Sequence, residues 1–450
     1  MTKILVIAYF FPPLGGAGVQ RAQSFVRQLP DEGFLPIVVT GSGLDEDRWT
    51  PIDRTLLDQL PSNIPIHRVL QSPPSGRSPR ARRLRRLLSL REPFSQWWIR
   101  HGTDVAMQAA NDARLILATM SPFESAEIAE RVSRRFRIPW IADLRDPWAL
   151  DEMQVFPSML HRRMEMGRMR RLLSSAALII MNTREATAAI KANYPELSGK
   201  TVTITNGFAR DDFAGDPVVR NDAKFRIVHT GYLHTELGLE IARKRLYRWL
   251  GGNAPGVDIL TRSHVVLLRA VERWCAQEPR IRDEVEIVLA GRASPHDRVL
   301  SESSPISPLI RLTGYLDHAT SIQLARTADL LFLPMHNLPP GRRSRIVPAK
   351  TYEYMATGRP ILAAVPEGDA HDFLQRCGTA FMCRPDDSEA MVAILRNVHA
   401  AWKAGRRLVT SNQDFVDEFE RRRLTSLLAS RCRAVLSAAT VTVATPADSI

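Results

Sequence analysis

Short apolar runs alternate with helical periodicity along nearly the whole chain. This is the pattern of parallel sheets whose strands are buried on both faces and joined by helical crossovers. In the first half, strand candidates fall at residues 3–9, 35–40, 114–119, 139–144, 176–182 and 201–205, with helical patterns at about 19–29 and 121–136. The second helix is expected to begin at Ser121-Pro122, a cap followed by a first-turn proline. The second half repeats the theme, with strands at 225–230, 285–290, 309–313, 329–334 and 360–364 and helices at 264–275, 319–328 and 387–404. Polar residues 209–224 separate the halves, and residues 236–258, charged and then rich in Gly and Pro, read as an inserted hairpin or flap. A helix with one charged face is expected over about 415–438. The pattern therefore predicts an α/β protein of two doubly wound Rossmann-like domains, residues 1–212 and 225–410, then a helix at 411–438 and a disordered tail at 439–450.

In such folds the ligand loops follow the C-terminal ends of the strands, and two such domains are expected to face a cleft. The candidate loops are 12–18, 145–148, 231–233, 291–293 and 335–350. The last leads into Pro348-Ala-Lys-Thr-Tyr-Glu-Tyr-Met-Ala-Thr-Gly-Arg-Pro360, which places Lys350 and Glu353 on one face of a short helix. A lysine supplies a point charge suited to phosphate, and a carboxylate accepts from sugar or ribose hydroxyls. The helix N-terminus, at Pro348 and Thr351, adds unpaired backbone N–H groups that favour an anion. The same spacing also suits a plain surface salt bridge between Lys350 and Glu353.

Composition narrows the setting. The 450-residue chain is 44% hydrophobic and 24% charged, ordinary for a globular protein and too long for one core. No apolar run reaches the roughly 18–20 residues of a membrane span, and the first residues read as a buried strand, not a leader. Four scattered cysteines, without CxxC spacing, point away from a disulfide framework or a zinc site and fit a cytoplasmic protein. A net charge of +13 gathers largely in residues 75–91, with Arg80 and Arg91 in an Arg-dense run that spaces Leu84, Leu87 and Leu88 helically, and in 161–171, which mixes Arg with Met. Such basic amphipathic helices suit an anionic membrane surface, and a merely solvated basic face gives the same pattern. Nothing resembling a nucleic-acid-binding motif accompanies them.

Other constellations stay open on spacing alone. Gly15, Gly16 and Gly18 follow the first strand, but Arg21 stands where a dinucleotide fingerprint has its third glycine, and no acid ends the second strand. The loop serves either as a tight turn or as a place where sugar or phosphate approaches the backbone. Asp143-Leu-Arg-Asp-Pro-Trp148 offers two carboxylates, a guanidinium and an indole. Trp148 suits a sugar face, and Asp143 and Asp146 either take hydroxyls or pin Arg145. His229, His234, His264 and His336 are scattered and read as structural or surface residues.

Taken in order, Pro12-Pro-Leu-Gly-Gly-Ala-Gly18, Asp143-Leu-Arg-Asp-Pro-Trp148, Thr205-Asn-Gly-Phe208, His229-Thr-Gly-Tyr-Leu233 and the 348–360 segment resemble the family 4 (group 1) retaining glycosyltransferases of GT-B fold over nearly the whole chain. The resemblance implies an acceptor-side N-terminal domain and a C-terminal domain for a UDP- or GDP-linked sugar donor. It also implies a glycan acceptor, lipid-linked or polysaccharide, and transfer with retention; the basic segments add the expectation of a cytoplasmic protein peripheral on the inner face of a membrane. Glu353 matches the second Glu of the family's Glu-x7-Glu motif and implies ribose contact; Arg345 replaces the first. The family's Lys-Gly after the Gly231 strand is also missing, which leaves Arg262 and Lys350 as candidates for the diphosphate. By the same likeness Arg262, Lys350 and Asp146 are the expected catalytic residues. Gly15, Gly16, Asp143, Trp148, Gly231, Arg292, Pro348, Thr351 and Glu353 are the expected substrate contacts, with no metal or cofactor. A GT-B nucleotide-sugar epimerase and a degenerate nucleotide- or glycan-binding subunit are the alternatives.

Overall fold

The computed structural model describes residues 1–44, 51–74, 84–216, 219–244, 247 and 249–444. The chain divides into two compact units. Unit 1 comprises Met1–Asp151, Phe156–Asn206 and Arg421–Ile450; unit 2 comprises Glu152–Val155 and Gly207–Glu420.

Unit 1 holds seven parallel strands: β1 (Thr2–Ile7), β2 (Phe34–Thr40), β3 (Ile66–Arg68), β4 (Leu115–Met120), β5 (Trp140–Leu144), β6 (Leu178–Met181) and β7 (Thr201–Thr203), in the order β3-β2-β1-β4-β5-β6-β7. Helices α1 (Ala17–Gln28), α2 (Pro93–Ala109), α3 (Ser125–Phe136), α4 (Met159–Ser175) and α5 (Arg184–Asn193) connect them. Alternation along β1 shows why both faces are covered. Leu5 and Ile7 enter a core with Trp98 of α2, Ile128 of α3 and Leu172 of α4, whereas Ile4 and Val6 enter one with Phe25 and Val26 of α1.

Unit 2 holds six parallel strands: β8 (Phe225–Thr230), β9 (Val285–Ala290), β10 (Ile310–Gly314), β11 (Leu330–Pro334), β12 (Ile361–Ala364) and β13 (Ala380–Cys383), in the order β10-β9-β8-β11-β12-β13. Its main helices are α6 (Thr235–Arg243), α7 (Val265–Gln277), α8 (Pro295–Glu302), α9 (His318–Arg326), α10 (Ala349–Thr357), α11 (Asp369–Cys377) and α12 (Ser388–Lys403). Phe225, Ile227 and Phe332 pack with Trp274 of α7 and Leu395 of α12, while Val228, Leu331 and Leu333 pack with Tyr352 and Met355 of α10 and Phe373 of α11.

Several boundaries depart from the pattern-based ones. Helix α3 starts at Ser125, not at Ser121-Pro122: Ser121 O accepts from Arg145 Nη2 at 2.8 Å, and the Pro122 and Phe123 carbonyls accept from the N–H groups three residues on, in tighter turns ahead of the helix. The break between units falls at 206/207, ahead of the polar stretch 209–224. Phe208 explains this, because its N–H donates to Phe419 O and its ring lies in the unit 2 core. Residues 236–243 of the expected flap are helical, within α6, and Asp258 pairs backbone to backbone with Asn337. Residues 75–83 of the basic stretch, 445–450 of the expected tail, and residues 217–218, 245–246 and 248 lie outside the described residues.

The expected helix at 415–438 is two pieces serving two cores. Phe415, Val416 and Phe419 insert into unit 2, and Glu420 is extended. Helix α13 (Arg421–Ala444) then returns to unit 1 and continues past residue 439, where a tail was expected. Leu424, Leu428, Ala429 and Cys432 share the core of α1, and Thr425 Oγ1 donates to Gln28 Oε1 at 2.7 Å. The last helix therefore completes the first unit. Leu428→Ala is expected to cost about 2–5 kcal/mol in urea unfolding of the intact chain, the usual range for a buried Leu. The exposed neighbour Leu427→Ala should stay within about 0.5 kcal/mol of the parent.

Candidate functional site

Doubly wound sheets open a crevice where successive connections leave in opposite directions. In unit 2 that point lies between β8 and β11. Three loops converge there: Gly231 after β8, Gly291 after β9, and the run after β11 that leads into α10. Gly231 has φ +100°, and a Cβ on it would lie 2.9 Å from Lys350 Nζ. A side chain at Gly291 would collide with the Gly231 carbonyl. Both positions are therefore bare backbone because the neighbouring loop and the lysine occupy the space.

Helix α10 is fixed to the end of β8 by Tyr354, whose buried hydroxyl accepts the Thr230 N–H at 2.8 Å and lies 3.2 Å from Thr230 Oγ1. Gly358, at φ 64°, terminates the helix in the left-handed conformation. Lys350 then sits in its first turn, with Nζ 3.1 Å from His229 Nε2. His229 Nδ1 lies 3.0 Å from the Phe332 carbonyl. A carbonyl only accepts, so Nδ1 carries the ring proton and Nε2 is left as an acceptor for the lysine. Burial, reinforced by the charges of Lys350 and Arg262, holds the His229 pKa well below its ordinary value and keeps the ring neutral.

Lys350 itself is half-buried. Burial and then the positive Arg262 push its pKa down to about 7, against the opposing pull of Glu353. The folded chain thus holds this proton less tightly than the unfolded one. The lysine therefore opposes folding fully below about pH 7, and that cost is relieved as pH rises from 7 toward the ordinary lysine value. Glu353 makes no hydrogen bond or ion pair among the described residues, so the salt bridge that the spacing allowed is absent. The first turn also buries Thr351, whose Oγ1 has no partner among the described residues.

A second cluster adjoins the first. Residues 152–155 enter unit 2 and bring Glu152 into a buried position, where its Oε1 accepts from Ser344 Oγ at 2.8 Å and from the Arg345 N–H at 3.0 Å. His336 Nε2 lies 3.2 Å from the same oxygen. Burial alone would raise the Glu152 pKa; the His336 contact and the Ser344 and backbone donors outweigh it and hold the carboxyl down at about 2. Arg262 links the clusters. Its Nη1 lies 3.0 Å from Met153 Sδ, and its charge lowers the pKa values of Lys350, His229 and His336 alike. Arg292 follows β9 beside Gly291 and is half-buried.

In unit 1 the switch point lies between β1 and β4, and the chain fills it with its own guanidinium. Arg145 donates to Met120 O at 3.1 Å, to Ser121 O at 2.8 Å and to the Gly18 carbonyl. A Cβ at Gly18 would meet that guanidinium. Asp143 is fully buried and paired with Arg21, 2.7 Å at the shortest, and Arg21 also donates to Ile204 O and Thr205 O. Trp148 is buried; its ring stacks on Phe123 at 4.7 Å and its N–H donates to Glu165 Oε1 at 2.7 Å, so the indole is engaged in packing. Gly15 N–H donates to Pro51 O, and Gly16, at φ 92°, opens α1. Asp146 is half-buried and makes no hydrogen bond among the described residues.

Unit 2 therefore gathers Arg262, Gly231, Pro348, Lys350, Thr351 and Glu353 from the expected set. Sequence reasoning set His229 and His336 aside and gave no role to Glu152. His229 carried a local signal, standing two residues before a positive-φ glycine at a strand end; Glu152 carried none, because its partners are about 190 positions away.

Comparison with known proteins places this geometry. Residues 260–400, wholly within unit 2 and including Arg262, Lys350 and Glu353, match the family described as "Glycosyl transferases group 1". No curated protein matches the sequence. Among solved structures, sucrose-phosphate synthase from Thermosynechococcus elongatus superposes with TM-score 0.63 at 14% identity, covering 97% of this chain and 100% of that one. Anabaena HepE in complex with UDP-glucose gives 0.55 at 16%, covering 98% and 99%. A glycosyltransferase from Rickettsia africae gives 0.58 at 12%, covering 97% and 98%. At such identities the likeness is one of fold. The chain thus has two Rossmann-like α/β domains of GT-B type, and its second domain carries the match to group 1 glycosyltransferases.

Proposed function

We propose that the chain is a retaining glycosyltransferase of the family 4 kind, moving a sugar from a UDP- or GDP-linked donor to a glycan acceptor, polysaccharide or lipid-linked. The observation that carries this reading is the first half of α10. Lys350 and Glu353 stand one turn apart at the switch point of unit 2, and neither neutralises the other. A cation and an acceptor-only group at that spacing suit a diphosphate and the ribose beside it. The group 1 match over the same residues supports it, and retention rests on the family resemblance.

In this reading unit 2 takes the donor and unit 1 the acceptor. Arg262, Lys350 and the first-turn N–H groups of α10 stabilise charge as it develops on the departing phosphate, with Arg292 near the same loops. Gly231 leaves room for the lysine beside the phosphate, and Glu353 accepts from the ribose. Pro348 and Thr351 shape the turn. Asp146 is the carboxylate of unit 1 left for acceptor hydroxyls, because Asp143 is committed to Arg21.

The acceptor side also offers a surface for an anionic bilayer at the inner face of a membrane. Leu84, Leu87, Leu88 and Leu90 are exposed, as are Met159, Leu160 and Met164 of α4. The two segments meet where His161 Nε2 lies 3.0 Å from Leu87 O and Ser89 Oγ 3.9 Å from Met164 Sδ. Much of the nearby positive charge is spent within the protein: Arg91 and Arg168 pair with Glu127, Arg170 with Glu196 and Arg171 with Glu130. The apolar side chains, with Arg86 and Arg163 beside them, therefore supply most of the attraction. Among the described residues no helix is long and apolar enough to cross a membrane.

Three outcomes check this reading. Titrating UDP-, GDP- and ADP-sugars against the chain should raise its melting temperature with one nucleotide, and Glu353→Ala should weaken that affinity by roughly 1.5–3 kcal/mol; no shift with any nucleotide would remove the donor site. A bound diphosphate favours the charged form of Lys350, whose free pKa is about 7, so donor binding should take up a proton above pH 7 and weaken as pH rises. Below that pH the lysine is already charged and contributes no slope. Buffer-dependent binding enthalpies measure the uptake, and Lys350→Met should abolish it. For the membrane, anionic liposomes should retain the chain while a Leu84, Leu87 and Leu88 to Ser variant is released; equal retention of both would sink the surface.

A further inference from the structure

Glu152 is buried and ionised, yet half of its carboxylate has no partner among the described residues. Oε1 is saturated by Ser344 Oγ, the Arg345 N–H and His336, whereas Oε2 is buried without a hydrogen bond. His336, fully buried, likewise has no partner at Nδ1 among the described residues. With Nε2 directed at a carboxylate that only accepts, that ring nitrogen carries the proton and Nδ1 is a bare acceptor. Two buried acceptors on a contacting pair of side chains, one of them charged, are costly unless something donates to them.

The loop that builds this corner is rigid. Ser344 pairs with Gly368, its N–H donates to Glu367 O at 2.8 Å, and a Cβ at Gly368 would strike the Ser344 backbone. On the other side, Met335 N–H donates to Ala364 O at 2.9 Å and Thr261 Oγ1 donates to Met335 O at 3.1 Å. The acceptors are therefore held in place and not left over from a mobile segment.

Their position along the site matters as much as their state. Glu353 and Lys350 share the first turns of α10, Lys350 Nζ lies 2.9 Å from the place of a Cβ on Gly231, the loop after Gly231 donates from the His234 N–H to the Arg262 carbonyl at 3.0 Å, and Arg262 Nη1 lies 3.0 Å from the sulfur of Met153, the neighbour of Glu152. The order is an acceptor, two cations, then a pair of acceptors. A nucleotide-sugar has the matching order of ribose hydroxyls, diphosphate, then sugar hydroxyls.

We propose that Glu152, with His336 beside it, is the donor-sugar subsite: Glu152 Oε2 accepts a hydrogen bond from a hydroxyl of the transferred sugar. The role falls to Glu152 because Arg345 presents its backbone N–H, not a carboxylate, at this corner. A fixed negative charge there also selects neutral sugars over uronates, whose carboxylate it repels. This rests on the nucleotide-sugar reading of α10.

The test compares each nucleoside diphosphate (UDP, GDP, ADP) with its glucose and, for UDP, glucuronate conjugate, by calorimetry on the full chain. Glu152→Gln keeps an oxygen for Ser344 and Arg345 but replaces Oε2 by an N–H donor. It should weaken the glucose conjugate roughly ten- to hundredfold, leave the free diphosphate within about twofold, and narrow the preference for glucose over glucuronate. Ser344→Ala, which disturbs the same loop but leaves Oε2, should not discriminate between conjugate and free diphosphate. Equal weakening of diphosphate and conjugate by Glu152→Gln, or no weakening of either, would mean that Oε2 holds only water and overturn the subsite. A parent chain that binds no diphosphate at all would instead overturn the donor reading and this proposal with it. Melting curves of both variants confirm that the loss is not unfolding.

Discussion

One buried hydroxyl governs the geometry of the second unit. Tyr354 Oη takes the Thr230 N–H at the end of β8 and so seats α10 against the sheet. Everything chemically interesting on that helix depends on the seating. Lys350 reaches His229 only because the first turn of α10 lies over β8, and it has room only because residue 231 is a glycine. Burial raises the Tyr354 pKa, so the phenol keeps its proton and can both accept from the backbone and donate. An apolar side chain of the same shape would leave a buried N–H unsatisfied at the base of the site, at a cost of about 1–3 kcal/mol.

The two units solve the same topological problem in opposite ways. Both sheets reverse their winding direction at their first strand, and both thereby create a crevice lined with strand-end carbonyls and N–H groups. Unit 1 closes its crevice from within. Arg145 supplies donors to carbonyls on both sides, and the Arg21–Asp143 pair ties α1 to β5 beneath it. A planar guanidinium with five donors is suited to that task, and its positive charge is held by Asp146 and Asp143. Unit 2 leaves its crevice polar and incompletely satisfied, with Glu353, Thr351 Oγ1, Glu152 Oε2 and His336 Nδ1 all lacking donors or acceptors among the described residues. Folding closes the first crevice largely with Arg145, whereas the second keeps these groups unsatisfied among the described residues.

How far this was legible in the sequence follows from the range of each interaction. Strand alternation is a local signal, and it located the sheets, the glycine loops and the Lys350–Glu353 face. The Asp143 segment was visible as a charged cluster, but its alternatives could not be separated, because the deciding partners, Arg21 and the Ile204 and Thr205 carbonyls, lie far along the chain. The amphipathic stretch at 415–438 read as one helix since periodicity does not record which core each turn enters; the turn at Phe415 and Phe419 serves unit 2 and the helix from Arg421 serves unit 1. Glu152 was illegible for the same reason. It stands among residues that build unit 1 and finds its partners near residue 344. The arginine-rich segments misled in a different way: counting charge overstates it where glutamates some 26 to 41 residues away neutralise it.

A lysine and not a second arginine beside Arg262 has a physical consequence. Two fixed positive charges in a partly dehydrated crevice repel each other, and an arginine cannot shed its proton to relieve this. Lysine can, and burial together with Arg262 has brought Lys350 to about 7, where the neutral amine is readily populated. Neutral His229 completes the device, since its Nε2 accepts from Lys350 in either protonation state and steers Nζ without adding charge. The empty site therefore need not hold two adjacent cations. In the donor complex proposed above, the diphosphate restores the second one, because its negative charge draws a proton onto the amine. In the proposed donor complex, electrostatic strain in the free state is thus exchanged for attraction in the bound state, and the exchange is confined to Lys350 and its neighbours Arg262 and His229.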